Sequence, residues 1–159
     1  MRPSPRPYRQ RGLTLIELVV VIVLLGVLAA ILLPRLGESS FRSVAFAEQA
    51  AAAFRYAQRL AVATGCEVQV DVSATTHSYA LHRRADGSDT SCGTAGPFTL
   101  AVLNPAGGGA FAAVATGGVR VTQGLTLRFD AQGLPTPNGG TVIVAGRSIV
   151  IEAETGHVR

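Results

Sequence analysis

The strongest pattern in this chain is an unbroken apolar run from Leu13 to Leu33, near the N-terminus. Its 21 residues include one charged side chain, the carboxylate of Glu17. As a helix, a run of this length spans roughly 31 Å, close to the hydrocarbon thickness of a bilayer. The pattern therefore predicts a membrane-spanning helix, in which an acid costs several kcal/mol unless it finds a partner.

A second helical pattern follows Pro34 and is predicted to end at about Thr64. Alanine dominates its composition, which favours helix, and Gly65 is the residue type that commonly ends one. Apolar and charged positions fall on separate faces, so one face is expected to pack against the C-terminal part of the chain. The residues on this apolar face are Val44, Ala47, Ala51, Phe54 and Ala61.

Short strands separated by turns are predicted for the remainder of the chain. Residues 66–72 alternate strictly between polar and apolar side chains, as in a half-buried strand, and residues 78–83 are the candidate partner. Asn138-Gly139 is a strong hairpin signal. Further candidate strands are 98–103, 119–122, 125–129, 141–144 and 148–153. These elements predict an α+β fold, in which a long N-terminal helix has a transmembrane first half and packs through its second half on an antiparallel β-sheet.

Positive charge is concentrated before Gly12. Four of the fourteen arginines lie there, whereas the ten arginines from Leu13 onward are balanced by ten acidic residues. A basic flank keeps the N-terminal end of a membrane helix on the cytoplasmic side. The net charge of +4 is therefore poor evidence for a nucleic-acid-binding surface.

The apolar run has three possible interpretations. A cleaved secretory signal is expected to have a shorter apolar stretch, no internal acid and a small-residue cleavage site. A plain single-pass anchor fits the length but gives Glu17 no role. In the third interpretation Gly12 ends a removable leader, and Leu13 becomes a new N-terminus whose amine lies one helical turn from Glu17.

The third interpretation gives Glu17 a partner. When similar helices stack with an axial stagger, the carboxylate of one meets the terminal amine of its neighbour. An out-of-register subunit leaves both buried charges unpaired. Glu17 is thus predicted to set the assembly register, which is a matter of specificity more than of stability.

The segment from Gly12 through Glu17, followed by the apolar run and Pro34, resembles the N-terminus of type IV pilins and type II secretion pseudopilins. The resemblance implies that a prepilin peptidase cuts between Gly12 and Leu13 and N-methylates Leu13, where most relatives carry Phe. It also implies a leader over residues 1–12 and a transmembrane, filament-core helix over residues 13–34. Residues 35–159 then form a periplasmic domain.

Gly26 and Pro34 weaken the helix between them, because glycine lowers helix stability and proline cannot donate a backbone hydrogen bond. The simpler interpretation is that glycine is common in membrane helices and that Pro34 only kinks this one. Pilin-like chains carry the same pair, and in their filaments this stretch can unwind.

The C-terminal half resembles the GspH/FimT-type pilin domain. The resemblance rests on residues 129–135 and on residues 154–159. Cys66 directly follows the second predicted helix and is followed by Glu-Val-Gln-Val-Asp. This arrangement resembles minor pilins of mannose-sensitive haemagglutinin type pili.

Together these resemblances imply a minor pilin or pseudopilin, a structural or assembly subunit of a type IV pilus or a type II secretion pseudopilus. Its partners are then the prepilin peptidase, other pilins, the inner-membrane assembly platform and membrane lipid. Glu17 argues against the tip-type pseudopilin, which lacks that acid. No nucleophile–base signature or phosphate loop is present, so we expect neither catalysis nor a cofactor.

Cys66 and Cys92 are the two cysteines of the chain, and an oxidising space beyond the membrane favours a disulfide between them. In the loop-entropy model such a bond is worth ~3 kcal/mol. Two free thiols, or a zinc site that includes His77 and His82, are the alternatives. No short ligand-pair spacing supports the zinc site.

DNA binding is the rival function, together with surface adhesion. Some FimT-type pilins bind DNA through arginines near a C-terminal Gly-Arg-x-Arg, and the matching stretch here starts at Gly156 and ends at Arg159, with His157 in place of one arginine. Arg147 and Arg159 are the candidate contacts. Nucleic-acid affinity needs several phosphate contacts, and a neutral domain offers few.

Overall fold

A computed structural model describes residues 14–32, 38–88 and 91–159 of the chain. It divides the chain into two compact units, residues 1–37 and residues 38–159. The predicted cleavage site at Gly12 and Leu13, and the predicted kink at Pro34, lie outside the described residues.

Helix α1, Leu15–Leu32, is the described part of the first unit. Its large apolar side chains from Leu15 to Leu28 are exposed on every side, from 44% at Val19 to 81% at Leu15. A helix that is apolar all round has no face suited to water. Within the described residues, no helix meets the length and apolarity needed to cross a membrane.

Helix α2, Glu38–Thr64, opens the second unit and confirms the predicted helix and its end. Gly65 follows it with a φ of 68°, a left-handed conformation that suits glycine and stops a helix. Of the predicted apolar face, Val44 is half-buried and the others are buried. The buried face also includes residues that the pattern missed, which are Phe46, Ala50, Ala53 and Ala57.

Nine strands form two sheets in the described part of the second unit. The larger sheet has the order β3-β2-β1-β6-β7, with β4 also paired to β2, and the smaller has the order β5-β8-β9. All strand pairs are antiparallel. The strands are β1 Val68–Ser73, β2 Ser78–Arg84, β3 Phe98–Ala101, β4 Ala112–Val114, β5 Val121–Gln123, β6 Leu125–Phe129, β7 Pro135–Thr136, β8 Gly140–Val144 and β9 Arg147–Ile151.

The strand predictions are largely confirmed, with three corrections. Two sheets replace the single predicted sheet, and the short strands β4 and β7 were not predicted. Asn138-Gly139 is not the turn of a hairpin, because β7 pairs back with β6 and β8 pairs with β9. The hairpin turn between β8 and β9 is Ala145-Gly146, where both residues have positive φ, 47° and 80°.

The core lies between α2 and the two sheets. Along β1, Val68, Val70 and Val72 are buried and alternate with half-buried polar residues, as the sequence pattern predicted. Four alanines of α2, at positions 50, 53, 57 and 61, are completely buried. Their small side chains let the helix axis approach the sheets closely.

Gln58 of α2 bonds to two turns of the second unit. Its side-chain amide donates to the carbonyl of Gly133 at 3.0 Å and to that of Thr155 at 2.8 Å. Both Gly133 and Gly156 have positive φ, and a Cβ on either would meet the Gln58 side chain. The two glycine turns therefore close on one helical side chain.

We expect Gln58→Ala to lower the free energy of unfolding by about 1–3 kcal/mol, because each hydrogen bond contributes roughly 1 kcal/mol and the two carbonyls lose their donor. Gln49→Ala is the matched control, since Gln49 is exposed on the same helix and has the same change in helix propensity. Urea unfolding of the detergent-solubilised chain, followed by circular dichroism, measures both. Equal losses in the two variants would contradict the role of Gln58.

Candidate functional site

Thr14 begins α1 and fixes the position of Glu17. The Thr14 Oγ1 accepts a hydrogen bond from the Glu17 N–H at 3.3 Å, and the Thr14 carbonyl accepts the first helical bond, from Leu18, at 3.2 Å. Thr14 is thus the N-cap, and Glu17 is the third helical residue, as in a capping box. Its carboxylate belongs to the first turn, at the positive end of the helix dipole.

The Thr14 cap was not predicted from the sequence, although its signal was available. A Thr-x-x-Glu spacing directly before an apolar run is the sequence mark of a helix N-terminus. Glu17 therefore lies in the N-terminal turn of α1, close to Leu13 in the sequence.

Gly26 lies in the interior of α1. Apart from its chain neighbours and the backbone of α1 itself, no described atom comes within 4 Å of the position that a Cβ would take there. Its φ is not in the left-handed region, so neither packing within the described chain nor backbone conformation requires glycine. Gly26 therefore lowers the stability of α1, and the backbone conformation of the helix does not require a glycine there.

A disulfide joins Cys66 and Cys92, with 5.1 Å between their Cα atoms, which confirms the expected bond. It links the segment after α2 to the connection between β2 and β3. The zinc alternative is wrong for these thiols because both are consumed. The histidines are used elsewhere: His77 Nδ1 accepts from the Val121 N–H at 3.3 Å, and His82 Nδ1 lies 3.2 Å from Asp71 Oδ2. Among the described side chains no group could hold a metal.

Asp86 organises the connection between β2 and β3, to which this disulfide is joined. Its Oδ2 accepts hydrogen bonds from the backbone N–H groups of Thr94 and Ala95, each at 2.9 Å. The Ala95 bond is the largest cause that lowers the Asp86 pKa, and the Thr94 bond and the Arg84 charge act in the same direction. The sequence analysis did not identify Asp86 as the acceptor that holds this loop.

Phe98 lies between two arginines at one end of the larger sheet. The Cζ of Arg84 is 4.7 Å from the ring centroid and that of Arg128 is 5.6 Å from it. Arg84 also pairs with Glu67, through a 2.8 Å bond from its Nε and a second bond from Nη2. The Arg84 charge is thus neutralised within the domain.

The candidate DNA contacts do not form one surface. Val150 and Arg159 exchange two backbone hydrogen bonds, at 2.9 and 3.0 Å, so their side chains share a face of the smaller sheet. Arg147 is three residues before Val150 on the same strand and therefore belongs to the other face. Arg159 also lies 3.4 Å from Glu152.

Two family models match the chain. A model described as the prokaryotic N-terminal methylation motif matches residues 7–33. A model described as type II transport protein GspH matches residues 47–156, more than half of the chain. No curated protein and no solved structure matches it significantly.

The amide protons of Thr94 and Ala95 are expected to shift together as Asp86 titrates, with a midpoint below the ordinary aspartate value of 3.8. The pKa of Asp86 is lowered in the folded state, so the carboxylate stabilises the loop fully at pH values above the ordinary aspartate pKa. This stabilisation is lost as the pH falls through the lowered pKa of the folded state. Nuclear magnetic resonance of the detergent-solubilised chain measures the midpoint. Asp86→Asn should abolish the transition, whereas Asp130→Asn, in another turn, should leave it. A midpoint at or above 3.8 would contradict the assignment.

Proposed function

This chain belongs to the GspH family of type II transport proteins, and from that premise we propose that it is a minor pilin or pseudopilin, released from its leader at Gly12 and docked in a filament through Glu17. The family consists of structural subunits, anchored in the membrane by the N-terminal helix and assembled with other pilins. The single observation that carries the proposal is the pairing of a methylation motif with a GspH domain in one chain.

Processing creates the charge that Glu17 needs. Hydrolysis of the Gly12–Leu13 peptide bond by the prepilin peptidase leaves an amine on Leu13, and N-methylation keeps it cationic. The Thr14 cap supports this proposal, because it holds Glu17 in the first turn of α1. The carboxylate can then meet the amine of a neighbouring subunit where water is excluded and a missing partner is costly.

The apolar surface of α1 supports a place in the filament core. Its large side chains are exposed on all sides, so the helix has to be surrounded by lipid or by similar helices. We infer that residues 13–33 anchor the subunit in the inner membrane before assembly. The same residues then pack among neighbouring helices, and the second unit lies outside that core, first in the periplasm.

Processing and docking are separable by two substitutions. Gly12→Asp should leave the leader of residues 1–12 on the chain, because the cleavage site is lost. Glu17→Gln should be cut and methylated normally but should reach the filament at least ~10-fold less often, since a neutral side chain leaves the neighbouring amine unpaired. Mass spectrometry of membrane and sheared-filament fractions checks both.

The matched control for Glu17→Gln is Glu154→Gln, an exposed acid in a turn of the second unit. It should enter filaments at the wild-type level. Filaments that contain chains starting at Met1 would overturn the proposal, as would normal incorporation of Glu17→Gln.

We also propose that the stretch from Gly26 to Pro34 unwinds in the filament. The supporting observation is that no side chain of the described part of the chain packs against Gly26, so within the subunit no contact offsets its weak helix propensity. Gly26→Ala should slow amide exchange over residues 27–32 by roughly fivefold, because alanine strengthens a helix by about 1 kcal/mol relative to glycine. Exchange of purified filaments, followed by mass spectrometry, gives the rates.

Ala29→Gly is the reverse control and should speed exchange over the same residues. If wild-type filaments and the Gly26→Ala variant exchange at the same rate, the stretch does not unwind there.

A further inference from the structure

One end of the second unit combines an exposed aromatic ring with exposed arginines. We call this the basic end and define it by Phe41, Arg120 and Arg147. Phe41, in the first turns of α2, is 76% exposed, although a ring of this size is normally buried. Arg120 and Arg147 are exposed as well.

The backbone brings these residues to the same end. A cavity of about 240 Å³ is lined by Ser40 and Ser43 of α2, by residues 117–119 and by Ala145. Arg120 comes directly after that lining, and its carbonyl accepts the Ala145 N–H at 2.8 Å. Arg147 stands two residues after Ala145, opposite Val144 in the β8–β9 hairpin.

Arginine predominates at this end, although α2 begins with Glu38. No carboxylate lines the cavity within the described part of the chain. The side chain of Arg42 packs at the same end, against Gly117. A neutral domain thus presents a local excess of arginine where α2 begins.

We propose that the basic end docks on the anionic phospholipid headgroups of the membrane that holds the unassembled subunit. This inference rests on the proposed function, which places residues 13–33 in that membrane. Only residues 33–37 separate α1 from α2, so the chain itself keeps the start of α2 within reach of the headgroup layer. Guanidinium groups pair with lipid phosphates, and aromatic rings favour the membrane–water interface.

Lipid fits this surface better than nucleic acid does. The affinity of a DNA site grows with the number of phosphate contacts, and the two arginines that define the basic end supply few of them. The other arginine of this sheet, Arg159, belongs to the opposite face. An aromatic ring with a few arginines is instead the composition of an interfacial membrane contact.

The test uses the processed full chain reconstituted in vesicles. The sequence contains no Trp, so Phe41→Trp places the sole tryptophan of the chain at the basic end. Its quenching by brominated lipid is compared in vesicles of phosphatidylcholine alone and in vesicles that also contain phosphatidylglycerol. Quenching should be stronger in the anionic vesicles and should weaken at high salt.

Arg120→Gln combined with Arg147→Gln should remove most of this gain. Each arginine near an anionic surface is worth roughly fivefold in binding, so the docked-to-free ratio should fall by about 30-fold. Arg59→Gln combined with Arg159→Gln is the matched control, since both are exposed and neither belongs to the basic end. It should keep the wild-type quenching.

Hydrogen exchange of residues 38–45 in the otherwise unaltered chain provides a second measurement, which does not depend on the tryptophan variant. Protection should rise in the anionic vesicles. Equal quenching and equal exchange in both kinds of vesicle would overturn the inference. Competition by DNA would also overturn it: a short DNA duplex would displace the tryptophan from the anionic vesicles, and inorganic phosphate at the same concentration of charge would not.

Failure of the proposed function gives a different result. If the full chain does not float with phosphatidylcholine vesicles, the anchoring by residues 13–33 is wrong. If it floats but the arginines have no effect, the anchoring stands and only the docking inference fails.

Discussion

The second unit depends on how closely α2 approaches the two sheets. Four fully buried alanines allow that approach, and Gln58 fixes it by donating to the carbonyls of Gly133 and Thr155. A larger residue at Gly133 or Gly156 would meet the Gln58 side chain. One turn comes after β6 of the larger sheet and the other comes after β9 of the smaller, so a single helical amide joins both sheets to the helix.

This constraint explains what the family resemblance in the C-terminal half represents. Residues 129–135 and 154–159 carry that resemblance, and their glycine turns meet at Gln58. Backbone geometry and close approach account for these residues without a ligand. A motif of this kind specifies a shape that a filament subunit has to keep, and it leaves the outer surface free to differ.

The sequence predicted those parts of the fold whose determinants are local. The end of α2 at Gly65 and the alternation along β1 follow from residue type and period alone. The prediction of a hairpin turn at Asn138-Gly139 was wrong, because turn propensity cannot show that β7 pairs with the preceding strand, β6. Strand β4 has no alternation of its own and exists because the edge of β2 is available. The sequence grouped Arg147 and Arg159 as one candidate site. The C-terminal segment pairs with β9, which places the two arginines on opposite faces of the smaller sheet.

In the proposed filament, an acid at position 17 suits the subunit better than a neutral residue does. In the first turn of α1 the carboxylate of Glu17 gains from the helix dipole, so its cost is lower than it would be in the middle of the helix. That gain is too small to replace a counter-charge in an apolar surrounding. In the proposed filament the neighbouring amine makes up the difference at one axial stagger alone. The proposed register therefore results from a cost, because every other arrangement leaves the Glu17 carboxylate without a counter-charge.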